Sequence, residues 1–189
     1  MYSTPLPRDV PPATPTDASS LWSANRDSLF GERRAQRKGD ILTVVIEIDD
    51  KDKLLADCMG RDGAVRSVIE QVLVNLPSAL DKRFLVTTAD RPQVSRMGKA
   101  YGCEIVLIET TGMGDSIAAG VAACAQLDGW LMVLGDMPFI LPSSIERVVD
   151  QIADDCVSVP VQEGEYGHPV GFGRSFAPGL MALSGDRGA

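Results

Sequence analysis

From Ile41 onward the sequence alternates short β-branched runs with segments of helical periodicity, and this alternation limits the fold more than any other feature. "ILTVVIEI", starting at Ile41, has the composition of a strand buried on both faces. Val65, Val68, Ile69, Val72, Leu73 and Leu76 then fall at i, i+3, i+4, i+7, i+8 and i+11, one apolar stripe of a helix. "RFLVTT" reads as a second strand, "RPQVSRMGKAYG" as a short helix ended by Gly102, and "CEIVLIE" as a third strand. "GDSIAAGVAACAQL" is a helix of small residues able to lie close to a sheet, and "GWLMVLGD" is a fourth strand.

In "PSSIERVVDQIADD" the spacing predicts a capping box, Ser143 with Glu146, ahead of a stripe of Ile145, Val148, Val149 and Ile152. "CVSVP" and "GHPVGFGR" read as a fifth and a sixth strand. "SFAPGLMAL" reads as a last short helix interrupted by Pro178. Strands alternating with helices of about 10–15 residues imply βαβ units. The expected fold is therefore α/β, a single doubly wound, mainly parallel sheet with helices on both faces.

Residues 1–38 break this pattern. Pro5, Pro7, Pro11, Pro12 and Pro15 crowd the start, followed by Ser, Thr and charge, so the segment reads as a disordered or extended tail. Within it, Trp22, Leu29 and Phe30 could dock a short stretch onto the body or a partner. The domain is expected over residues 39–189, and an apolar fraction of 44% is enough for its core.

A net charge of −8 argues against nucleic acid as a partner, because such binders carry a basic patch. Cys58, Cys103, Cys124 and Cys156 are widely spaced, and His168 is the only histidine, so a zinc site is not expected. No run reaches the ~18 apolar residues of a membrane span, and no secretory signal opens the chain. Reduced thiols and a cytoplasmic location are the expectation, with no membrane partner.

In parallel sheets ligands lie beyond the carboxyl ends of the strands, so Asp49, Asp50 and Asp136 are the carboxylates to consider. Asp136, after "WLMVLG", is placed to hold Mg²⁺ against a polyphosphate, or else it simply serves a turn. It stands too far from Ser143 to cap the following helix. "TTGMGDSIAAG" sets Gly112 and Gly114 at a loop-to-helix junction where N–H groups favour anions, and Ser116 adds a hydroxyl. The plainer reading is a helix start capped by Asp115 or Ser116. For His168 beside Pro169, and for Asp186 between glycines, the plain readings are a structural histidine and a turn.

"GMGDSIAAG", "LGDMPFI", "GHPVGFGRS" and "LSGDRGA", in that order, closely resemble the motifs of MobA-like nucleotidyltransferases, and most of all those of the molybdenum cofactor cytidylyltransferases. The resemblance is close from Gly112 to Ala189, general in pattern from Ile41 to Thr111, and absent over the N-terminal tail. It implies a Rossmann-like nucleotidyltransferase fold and an Mg²⁺-dependent transfer of a nucleoside monophosphate, CMP before GMP, from a nucleoside triphosphate to a molybdopterin-type cofactor. Pyrophosphate would leave. A molybdoenzyme or a maturation chaperone is the protein partner it implies.

The same resemblance implies roles for residues. Asp136 and Asp186 would hold the metal and, with Lys53, form the reaction centre. Gly112, Met113, Gly114, Ser116 and Gly135 would lie along the nucleotide, and Gly167, His168 and Pro169 on the acceptor side. One element departs from the family. Its first strand runs into a loop LAAGxSxRMGxxK, whereas here "ILTVVI" runs into "EIDDKDKLLA". Lys53 matches the terminal lysine of that loop. The AAG element, the serine and the arginine have no counterpart, and Asp49, Asp50 and Asp52 stand in their place.

Two other readings follow from that departure. One is a non-catalytic relative that binds a nucleotide or cofactor, or regulates a partner. The other takes Asp50 and Asp52, with DxD spacing, as a phosphatase-like strand end.

Overall fold

The computed structural model describes residues 41–46, 51–80, 82–109 and 112–186. The tail with Trp22, Leu29 and Phe30, and the carboxylates of Asp49 and Asp50, lie outside the described residues.

A six-stranded sheet carries the fold. Its strands are β1 (Ile41–Ile46), β4 (Lys82–Thr88), β5 (Glu104–Ile108), β6 (Gly129–Leu134), β7 (Val157–Ser158) and β10 (Val170–Gly173). Their order is β5-β4-β1-β6-β10-β7, which puts β1 near the middle. β1 pairs in parallel with both β4 and β6, and β4 with β5. β10 is antiparallel to β6 and to β7. Two ribbons stand apart, β2 (Asp57–Met59) with β3 (Val65–Ser67), and β8 (Val161–Gln162) with β9 (Glu165–Tyr166). The fold is α/β as expected, with these ribbons added to the main sheet.

The helices are α1 (Lys51–Leu55), α2 (Val68–Asn75), α3 (Pro92–Ala100), α4 (Met113–Ala122), α5 (Pro142–Val149) and α6 (Ala177–Met181). They cover both faces of the sheet, because alternate strand residues point opposite ways. Leu85, Leu131 and Val133 pack with Ile69, Val72 and Leu73 of α2 and Ile145, Val148 and Val149 of α5. Phe84, Val86, Trp130 and Met132 pack with Ile117 and Val121 of α4 and Leu180 of α6. β6 is buried along its whole length, as its apolar composition requires.

Several local expectations are corrected. Val65 belongs to β3, and α2 begins only at Val68, capped by the Ser67 hydroxyl, which accepts from the Glu70 N–H. α5 starts at Pro142 with Leu141 as its cap residue, so the Ser143–Glu146 capping box does not form. Proline pre-sets the first helical φ and lacks the N–H that a cap would satisfy. α5 ends at Val149, although Ile152 stays buried beyond it. Pro178 sits in the first turn of α6, where it is tolerated, and does not interrupt the helix. Gly102, at φ +77°, closes α3 as expected.

Candidate functional site

The site collects at the carboxyl edge of the parallel strands. Asp136 follows β6 after one residue, Gly135, which is buried. The loop beyond it is pinned from α2 and from the β2–β3 turn. Asn75 donates its side-chain amide to the Pro138 carbonyl at 2.7 Å, and Arg61 donates to the Phe139 carbonyl at 3.3 Å. "DMPF" therefore leaves the strand along a fixed course.

Lys53 comes to the same place from α1. Its Nζ lies 2.7 Å from Asp136 Oδ2. Leu54, the next residue, is fully buried in the core on the α2 side of the sheet, so α1 is anchored beside the ion pair. Asp136 Oδ1 is buried and has no hydrogen-bond partner. Two residues the sequence reading joined only through a family motif are thus in contact.

β10 runs antiparallel to β6, so its beginning falls at this same edge, and it brings His168 there. His168 Nδ1 is also buried without a partner. Burial lowers the pKa of this histidine below its usual value, and the negative charge of Asp136 partly counters the shift. His168 and Gly167 line an open cavity of about 1130 Å³. Its wall includes Arg61, Arg147, Phe139 and Tyr166, which the sequence reading did not single out. Phe139 and Tyr166 are exposed aromatic residues adjoining the "GDMP" and "GHP" motifs, and that adjacency is the signal that could have found them.

The other predicted residues gather at the start of α4. Gly112 is the cap residue, with no side-chain cap bond, so neither Asp115 nor Ser116 caps this helix. Ser116 is 3% exposed, and its hydroxyl donates to the Gly112 carbonyl at 3.1 Å. Its hydroxyl proton is engaged within the helix. Gly114 donates its N–H to the Gly185 carbonyl at 2.8 Å, which brings "GMGD" and "SGDRG" together and sets Asp186 beside the helix start. A Cβ on Gly112 would lie 2.6 Å from that carbonyl oxygen, so the close approach requires glycine.

The metal implied by the motifs can be tested against the donors. Among the described residues no cluster of three or more His, Cys, Asp or Glu side chains could by itself hold a metal ion. Mg²⁺ takes one or two carboxylates and completes its shell with water and phosphate oxygens. The unpartnered Oδ1 of Asp136 fits that mode.

A mainly parallel sheet with helices on both faces and a carboxylate–lysine pair at its carboxyl edge defines a Rossmann-like α/β protein. The chain belongs to the family of the MobA-like NTP transferase domain, whose model matches residues 48–189. Among solved structures it is similar to a nucleotidyl transferase from Methanothermobacter thermautotrophicus, with a TM-score of 0.63, 20% identity and 76% of each chain covered. It is also similar to Mycobacterium tuberculosis Rv0371c in complex with manganese, with a TM-score of 0.60, 22% identity and 77% of each chain covered. A cytidylyltransferase from Leptospira borgpetersenii gives a TM-score of 0.54 at 13% identity, over 74% of this chain and 62% of that one.

A second similarity lies N-terminal to most of the first. The family model described as flagellar L-ring protein matches residues 15–76. The flagellar L-ring protein of Ruegeria pomeroyi is 41% identical over 79 residues, which is 42% of this chain and 32% of that protein. That of Jannaschia sp. is 45% identical over 87 residues, or 43% of this chain and 33% of that protein. The chain spans about a third of the length of these curated relatives. β1 therefore lies inside the L-ring match and ahead of the NTP-transferase match. The segment expected as a tail thus carries a similarity of its own. No helix among the described residues is long and apolar enough to cross a membrane.

Proposed function

We propose that the chain is an Mg²⁺-dependent nucleotidyltransferase that moves a nucleoside monophosphate, CMP in preference to GMP, from the triphosphate to a molybdopterin-type cofactor with release of pyrophosphate. The observation that carries this reading is Asp136 at the end of β6, with one oxygen held by Lys53 and the other unpartnered. The names of the structural neighbours, a nucleotidyl transferase, a cytidylyltransferase and a manganese complex, support it.

Asp136 would hold the metal, with Asp186 contributing from the C-terminal turn beside α4. When bound, the metal supplies charge neutralisation at the phosphates. The chain's own part is positioning. The start of α4, at Gly112, Met113 and Gly114, would take the nucleotide, and Lys53 would add a cation beside the phosphates. Gly167 and His168 border the cavity, with Pro169 the next residue in the chain, and there Arg61 and Arg147 suit the phosphate of an acceptor. A molybdoenzyme or maturation chaperone would receive the product. The proposal keeps the cytoplasmic location expected from the sequence.

The test is to incubate the chain with CTP or GTP, Mg²⁺ and molybdopterin and to measure pyrophosphate. CTP-dependent release, reduced roughly a hundredfold or more by Asp136→Asn, is expected. No release with either nucleotide, beside an active relative, would refute the proposal.

One observation favours a second reading, a non-catalytic nucleotide- or cofactor-binding member. The NTP-transferase match begins at residue 48, after β1, so the strand that opens the sheet lies outside it, and the glycine-rich loop of the family has no counterpart in the sequence that follows. Calorimetry separates the two. Binding of CTP with turnover supports the enzyme, and binding without turnover supports the second reading.

A further inference from the structure

His168 reaches Asp136 for a topological reason. In the antiparallel pairing of β10 with β6, Val170 lies opposite Met132 and Gly171 opposite Leu131. Extending that register two residues toward the start of β10 sets His168 across from Leu134, two residues before Asp136. The charge of Asp136 is felt at the His168 ring.

Each side chain has one buried polar atom with no partner, Oδ1 of Asp136 and Nδ1 of His168. The second oxygen of Asp136 is already taken by Lys53 at 2.7 Å. Buried polar atoms are nearly always satisfied, and two orphans at one strand edge ask for a shared partner. Both atoms carry a lone pair when the carboxylate is ionised and the neutral imidazole holds its proton on Nε2, and that is the donor chemistry of a metal half-site.

The geometry points to Asp136 Oδ1 and His168 Nδ1 as two ligands of one divalent cation, the rest of whose shell is water and the anionic oxygens of the ligand. This inference rests on the proposed cation-holding role of Asp136 and adds a nitrogen ligand to it. No group of three or more His, Cys, Asp or Glu side chains gathers there among the described residues, so the chain without its anionic ligand holds the ion weakly. The imidazole sets the selectivity. Mg²⁺ prefers oxygen donors, whereas Mn²⁺, Co²⁺ and Zn²⁺ accept nitrogen, so the site favours these ions over Mg²⁺. His168 also lines the cavity, which places the cation between Asp136 and the space open to a substrate.

The test uses the full chain and Mn²⁺ alone, at a pH where imidazole is neutral, with electron paramagnetic resonance as the readout. A bound Mn²⁺ showing coupling to a directly coordinated nitrogen is expected, and Mg²⁺ should displace it only in roughly tenfold excess or more. In His168→Gln the nitrogen coupling should vanish and binding should weaken by about tenfold or more. The nitrogen coupling in the unaltered protein decides the matter even if a variant fails to fold. Mn²⁺ bound through Asp136 without nitrogen coupling overturns this inference and leaves the proposed function standing. No Mn²⁺ binding overturns this inference alone, and binding indifferent to Asp136→Asn overturns both.

Discussion

Lys53 and Asp136 stand 83 positions apart in the chain, and their side chains meet at 2.7 Å. The contact joins α1 to the end of β6 across the mouth of the sheet. Lys53 is about half exposed, 54%, so the pair should contribute little to folding, about 1 kcal/mol at most. Lys53→Ala is therefore expected to leave the thermal midpoint nearly unchanged. The affinity for Mg²⁺–CTP should drop roughly tenfold or more by calorimetry, the weight of a charge-assisted bond to phosphate. A large loss of stability with unaltered binding would show that the lysine serves the fold instead.

Leu54 holds the helix that carries this lysine. It is fully buried among Ile69, Val72 and Leu73, and Leu54→Ala should cost about 2–5 kcal/mol in denaturant unfolding. Because α1 is only five residues long, it has no stability of its own. The same variant should expose the 51–55 segment to hydrogen exchange ahead of global unfolding. A cost below about 1 kcal/mol would mean that α1 is not docked as described.

Gly112→Ala tests the junction of α4 with the C-terminal turn. The added Cβ would sit 2.6 Å from the Gly185 oxygen and 2.7 Å from its carbon, so one backbone must move. A penalty of about 1–3 kcal/mol is expected, with faster exchange at the Gly114 amide, which donates to Gly185. Unchanged protection at Gly114 would show the contact to be dispensable.

The lowered pKa of His168 gives a pH dependence of known sign. Its cause is burial, partly countered by Asp136. The unfolded chain, with an ordinary histidine near about 6.5, binds the proton more readily than the native one. Native stability therefore rises with pH up to about 6.5 and levels off above, and acidification below that value is destabilising. His168→Gln should flatten this part of the profile in urea titrations at several pH values. The same slope in the variant would assign it to other groups.

Thiol reactivity should divide the cysteines. Cys156 is exposed, whereas Cys103 and Cys124 are buried, and burial raises both thiols, Cys124 to about 11. A thiol reagent should modify Cys156 quickly and should reach Cys103 and Cys124 only as the chain unfolds. Rapid reaction at Cys124 would contradict the packing of α4 against Trp130.

Much of the fold could be read from periodicity, because a buried strand such as "GWLMVL" and a helical stripe such as Val68 to Leu73 reflect burial on one or two faces directly. Element ends were less legible. Ser143 lost the cap of α5 to the conformational preference of Pro142, and Val65 went to a ribbon whose turn at Gly63, φ +78°, is pinned by the Asp62–Arg66 ion pair. The direction of β10 was not legible at all. No composition rule distinguishes a parallel from an antiparallel strand of four residues.

By itself the sequence determined the succession of strands and helices, the ordered motifs and the candidate carboxylate Asp136, since these depend on residue type and local spacing. Tertiary structure alone decided the rest. It set Lys53 on Asp136, turned His168 to the same edge through an antiparallel strand, tied Gly185 to Gly114, and spent the Ser116 hydroxyl inside its own helix. It also placed β1, matched by the L-ring family, between strands matched by the NTP-transferase family. The physical reason is that local spacing fixes which face a side chain takes, while the neighbour it meets depends on chain segments dozens of residues away.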